Sequence, residues 1–251
     1  MYKYLLQIPT RRMSLPTTTI AGIPVLDTPL VNAAISFAKS ESPPWLFHHV
    51  MGSWLFAVKL AEAEKVCVDR ETLAVSVILE LTPFSRQDLR LAPKYASSGR
   101  RFEVDGAVSA ASFLKAQPGN VDELDTTQSA KYLKQKLREL TVWDAIAMHT
   151  TPSLAQHSVP EVVYCHGGGV AIDFAGLGLE LLPDTAVEAV LVAYPRLDMR
   201  DGFRECLCSF ARSKPQTIHD NFVGAVGEAF VKGYERPNII ERAIVASLRP
   251  N

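Results

Sequence analysis

The stretch from Pro44 to Pro83, PWLFHHVMGSWLFAVKLAEAEKVCVDRETLAVSVILELTP, constrains the fold more than any other part of the chain. From His48 to Lys65 the apolar residues Met51, Trp54, Leu55, Val58 and Leu60 recur at helical spacing, with charges only in the last turns. The His48–Ala57 end is therefore the buried one. Asp69 is placed to cap a further helix from about Arg70, and Leu73, Val75, Val77, Ile78, Leu79 and Leu81 make that helix apolar almost all round, as a central helix is. Both helices need protein around them, so the rest of the chain must wrap them. Their facing ends predict the floor of a pocket, with His48 and His49 from one helix and Glu80 from the other.

The wrapping segments also read as helical. Ile20–Pro29 is extended and ends in a helix start, with Asp27 or Thr28 as N-cap and Pro29 at the first helical position of a short helix, Leu30–Lys39. Ser40–Trp45 carries two prolines and reads as a turn. Phe102–Ala116 and Gln128–Thr151 read as helices, the second with Leu133, Leu137, Leu140, Ile146 and Met148 assigned to one stripe. Further helices are expected near Pro183, Gly202, Gln216 and Pro237. Glu161–Tyr164 is the only strand candidate, so the expected fold class is all-α, a helical bundle around a central pocket. Pro83–Arg101 is polar and broken by Pro and Gly, and reads as a loop over the pocket mouth.

Composition narrows the partners. The chain has 251 residues and 47% hydrophobic content, enough for one sizeable core. Residues 1–16 are expected to be a mobile leader before a single domain, 17–251. With 26 basic against 27 acidic side chains there is no footprint for nucleic acid or an anionic membrane. A small-molecule partner is expected, and a homo-oligomer is compatible with the sequence. Cys67, Cys165, Cys206 and Cys208 are scattered, and a CxC pair on a helix points its thiols to different sides, which favours neither a zinc half-site nor a disulfide. No apolar run is long enough for a signal peptide or a membrane span, so a cytoplasmic location is expected.

Glu80 is the most informative residue. A carboxylate at the end of an apolar central helix must be paired with a partner such as His49, bound to a metal, held protonated with a raised pKa, or reached by water at an edge. The first three are environments that make a general acid or base. Asp173 follows three glycines and either joins the site or caps the turn at Gly176. His149 either lines the pocket or serves a helix C-terminus. Glu103 and Asp105 read as N-terminal helix charges or a salt-bridge anchor. Trp45, Phe47, Trp54, Phe56 and Phe84 form a candidate apolar rim, or belong to the core. YCHGGGV (Tyr164–Val170) is similar to the oxyanion loop of α/β-hydrolase esterases, but the required G-x-S-x-G elbow is missing.

PWLFHHVMGSWLFA, LAVSVILEL, RFEVDGAVSAASFL, VWDAIAMHTTPSLA, GGGVAIDFAG and AVLVAYPRLDMRDGF, in that order, resemble the HD-domain family and within it the cyanamide hydratase-like branch. The similarity runs from about Ile20 to Gly233. The resemblance implies a helical fold around zinc or iron, held by a His, an adjacent His–Asp pair and a distant Asp, with a metal-bound water that adds to a small electrophile such as a nitrile. The first His matches His49 and the distant Asp matches Asp173. Where the family has LHDLG, this chain has Leu79-Glu80-Leu81-Thr82-Pro83, and the Arg expected three residues after the first His is Gly52. At most His49, Glu80 and Asp173 remain as ligands, so no metal is favoured.

Three functions follow as expectations. The first is metal-independent acid–base chemistry on an organic metabolite, namely elimination, isomerisation, cyclisation or hydration. It has His49, Glu80, Asp173 and His149 as candidate catalytic groups and His48, Trp54 and Phe84 as candidate substrate contacts. The second is a metal-dependent hydratase or hydrolase using His49, Glu80 and Asp173. The third is a non-catalytic ligand-binding protein.

Overall fold

The computed structural model describes residues 15–81, 97–118, 129–238 and Ile244. The predicted leader, Phe84 and most of the predicted pocket-mouth loop lie outside the described residues, as does the helix expected near Pro237. The described chain is largely α-helical, with one two-stranded antiparallel hairpin at its start.

The hairpin pairs β1 (Thr17–Ile20) with β2 (Ile23–Leu26), Thr17 opposite Leu26 and Ile20 opposite Ile23. Its two-residue turn, Ala21 and Gly22, has positive φ at both positions, the geometry that matches the twist of a tight hairpin. Ile23, Val25 and Leu26 face the core. These are the strands among the described residues. Glu161–Tyr164 is helical instead, inside α7 (Pro160–His166), where Pro160 sits in the first turn and four residues are too few for alternation to tell strand from helix.

Thr28 caps α1 (Pro29–Glu41), accepting from the Val31 N–H at 3.3 Å while its own hydroxyl donates to Glu71 at 2.6 Å. Only Ser42 and Pro43 separate α1 from α2 (Pro44–Ala63), a shorter turn than the two prolines suggest, because Pro44 is itself a first-turn residue. Asp69 caps α3 (Arg70–Leu79) through the Glu71 and Thr72 N–H groups. Every residue from Thr72 to Leu79 is buried, which is what a helix apolar all round requires.

Around this pair lie α4 (Phe102–Lys115), α5 (Ser129–Met148), α6 (Pro152–Ala155) and α7, followed by a π-helix (Gly167–Phe174). The chain closes with α8 (Asp184–Ala193), α9 (Met199–Ser213) and α10 (Phe222–Phe230). Near Gln216 there is a single 3₁₀ turn, Pro215–Thr217, rather than a helix. The predicted α5 stripe divides. Val142, Ala145 and Ile146 are buried, whereas Leu133, Leu137 and Leu140 are 62%, 66% and 65% exposed. No helix among the described residues is long and apolar enough to cross a membrane. The four cysteines are free, and only Cys67 is exposed.

Two buried ion clusters fix the start of α4. Glu103 accepts from Arg101 at 2.8 Å and from the Thr150 hydroxyl, and Asp105 accepts from Arg100 and from Lys214, each at 2.9 Å. The anchor reading of Glu103 and Asp105 therefore describes their contacts. Both carboxylates are fully buried, and the loss of one partner from such a cluster typically costs about 3–5 kcal/mol.

Candidate active site

α2 and α3 bring His49 and Glu80 together, as their apolar faces dictate, and the π-helix adds Asp173. His49 Nδ1 lies 2.5 Å from Asp173 Oδ2, and His49 Nε2 lies 3.5 Å from Glu80 Oε1. All three side chains are almost entirely shielded from water. Ser53, one turn beyond His49, sets its hydroxyl 3.5 Å from the same Nδ1.

Glycine makes the assembly possible. A Cβ on Gly168 would stand 2.4 Å from the Ser53 carbonyl, and one on Gly169 would stand 2.9 Å from both Glu80 oxygens. The π-helix backbone therefore lies directly against α2 and the Glu80 carboxyl. The three glycines thus bring backbone close to the site in a wide helical turn. This also removes an oxyanion loop, because the Gly167 N–H is already spent on the carbonyls of Val163 and Tyr164. Asp173 does not cap the turn at Gly176; it faces His49. Gly52, where a side chain would meet Asp173 Oδ1 at 3.1 Å, leaves that oxygen to Arg196, whose guanidinium lies 3.9 Å away.

Burial pushes the Glu80 carboxyl well above the ordinary carboxylate range. The Cys165 thiol, 3.7 Å from Glu80 Oε2, opposes this, and the nearby Asp173 charge adds to it. Glu80 Oε1 is buried with no hydrogen-bond partner, since its 3.5 Å approach to His49 lacks hydrogen-bond alignment. Burial thus favours the neutral form of Glu80 beside Nε2, and the 2.5 Å contact on the other side of the ring fits a His49 Nδ1–H donated to Asp173.

His49 forms part of the wall of a cavity of about 30 Å³, with Leu81, Phe102, His149, Phe174 and Phe203 among the other walls. Phe203 meets the His49 ring edge-on at 4.9 Å, and Phe174 meets Phe203 in the same way at 5.0 Å. Leu81, which stands where the resemblance places an Asp ligand, is apolar wall. His149 lines the same cavity, its Nδ1–H donating to the Ile146 carbonyl at 2.7 Å. Burial lowers its pKa to about 4, against the pull of Glu103 and the Ile146 carbonyl.

Other predicted residues lie elsewhere. His48 is half-buried and donates from Nδ1 to the Pro195 carbonyl at 2.8 Å, with its ring against Tyr194; it does not meet Glu80. Trp54 is 1% exposed, belongs to the core and is not a cavity wall. Trp45 packs on Phe203 and Phe56 is buried, so the aromatic walls among the described residues come from Phe102, Phe174, Phe203 and Phe222 instead. Ser53 was within reach of the sequence, at i+4 from His49 on a helix. Phe203, Cys165 and Arg196 come from distant segments and carry no local signal.

A zinc or iron ion does not fit this donor set as folded. The carboxylates of Asp173 and Glu80 approach opposite nitrogens of one imidazole, so the three donors do not point at a common centre. No group of three or more metal-ligating side chains converges among the described residues. No protein-family model and no curated protein matches the chain.

Proposed function

We propose that this chain is a small-molecule enzyme on an HD-type helical scaffold whose chemistry is acid–base transfer by His49 and Glu80 without a metal. The observation that carries the reading is the Asp173–His49–Glu80 array, 2.5 Å on one side of the ring and 3.5 Å on the other, with His49 itself in the wall of an apolar cavity. In an elimination or isomerisation, His49 Nε2 takes a proton from the substrate and the Glu80 carboxyl delivers one to the departing or receiving atom. One pair thus covers both halves of the reaction. Asp173 accepts the Nδ1–H and compensates the imidazolium as it forms. The raised pKa of Glu80 favours the protonated form that a general acid needs.

The cavity walls favour a compact, neutral organic substrate. Among the described residues, Thr150 and Cys206 are the walls that carry hydroxyl or thiol groups, beside the imidazoles of His49 and His149. A substrate larger than a water molecule must displace wall side chains on entry.

The test is turnover of small β-hydroxy carbonyl compounds and nitriles by metal-depleted protein. The expected result is turnover unaffected by a strong chelator and reduced about 10²–10⁴-fold in both His49→Ala and Glu80→Gln. Turnover abolished by the chelator and restored by zinc or iron would refute the proposal.

A further inference from the structure

The outer face of α5 carries Leu133, Leu137 and Leu140 at i, i+4 and i+7, each more than 60% exposed, while Val142, Ala145 and Ile146 bury the opposite face. Three leucines in line over two turns form an apolar stripe on the order of 400 Å², the size of the largest patches on monomeric proteins. Trp143 borders it at 37% exposed.

The charges of α5 are segregated along the same helix. Lys131, Lys134, Lys136 and Arg138 occupy the first half and Glu139 and Asp144 the second, with no charge of opposite sign in either half. Lys136 pairs with Glu139 and Arg138 with Glu71. Lys134 and Asp144 have no ion-pair partner among the described residues, and both are exposed. They stand at opposite ends of the leucine stripe.

We propose that α5 is the contact of a homodimer in which two copies pair antiparallel across this stripe. A two-fold axis passing between Leu137 and Leu140 stacks these leucines on their counterparts and sets Lys134 beside the partner's Asp144, twice by symmetry. A parallel pairing would place like charges abreast and align the two helix dipoles, both unfavourable. The stripe is smaller than the roughly 800 Å² per partner of a standard stable complex, so the dimer is concentration-dependent.

Sedimentation equilibrium of the full chain from about 1 μM to several hundred μM tests it. The expected mass rises from 27.6 kDa toward twice that value. Leu137→Glu, at a position two-thirds exposed and so without effect on folding, weakens association at least about tenfold. Lys134→Asp weakens it as well, and adding Asp144→Lys restores it, because the swapped pair faces itself again. A mass of 27.6 kDa at every concentration overturns the proposal. So does a dimer indifferent to Leu137→Glu, and a charge swap that fails to restore association overturns the antiparallel arrangement.

Discussion

His149 and Glu80 are buried titratable groups on either side of His49's surroundings, one in the cavity wall and one against the His49 ring, and they respond to acid in opposite directions. A histidine whose pKa falls on folding binds its proton more tightly in the unfolded chain, so its contribution to stability is intact above 6.5 and is lost as pH falls toward about 4. The full effect is about 3 kcal/mol. Glu80, raised above 4.5, binds its proton more tightly when folded, so its contribution is complete below 4.5 and is lost as pH rises through the folded value. Urea denaturation at a series of pH values between 7 and 4 separates them. His149→Gln should make the acid-side loss shallower by about one proton, and Glu80→Gln should make it steeper; curves parallel to the wild type would refute both assignments. The meeting of His49 with Glu80 was legible, because a carboxyl at the end of an apolar helix must find a partner. The outward turn of His48 was not, since its acceptor, Pro195, lies 147 residues away.

The π-helix is the element on which the site depends, and its role was hidden in the sequence. Three consecutive glycines signal close backbone approach but do not say to what, and the answer, α2 and the Glu80 carboxyl, is a tertiary contact. Gly168→Ala places a methyl group 2.4 Å from a backbone carbonyl and 2.6 Å from the Ala57 side chain, neither of which can step aside. It should cost about 1–3 kcal/mol or more and draw Asp173 away from His49. Gly99→Ala, which meets nothing within 4 Å, is the control and should stay within about 0.5 kcal/mol of wild type in chemical denaturation. Equal stabilities of the two variants would contradict the packing described. α2 and α3 were legible because both combine helical spacing with nearly continuous apolar character. On α5, by contrast, periodicity placed Leu133, Leu137 and Leu140 on a common face without revealing that the face points outward, and it misplaced Ile146, which lies on the buried side.

At the scale of the molecule, the hairpin, α1 and α4–α7 enclose the α2–α3 pair, while the Glu103 and Asp105 clusters hold Phe102 in the cavity wall. The consequence of that enclosure is a carboxyl kept away from water and biased by burial toward its protonated form. The largely helical architecture could be read from period and capping. The cavity walls could not, because Phe102, Phe174, Phe203 and Phe222 come from separate segments. The most direct test of the whole account is the infrared difference spectrum between wild type and Glu80→Gln at pH 7, recorded on metal-depleted protein. The account predicts a protonated-carboxyl C=O band in the wild type that the variant lacks. Loss of carboxylate bands alone would show Glu80 ionised beside His49 and would contradict it.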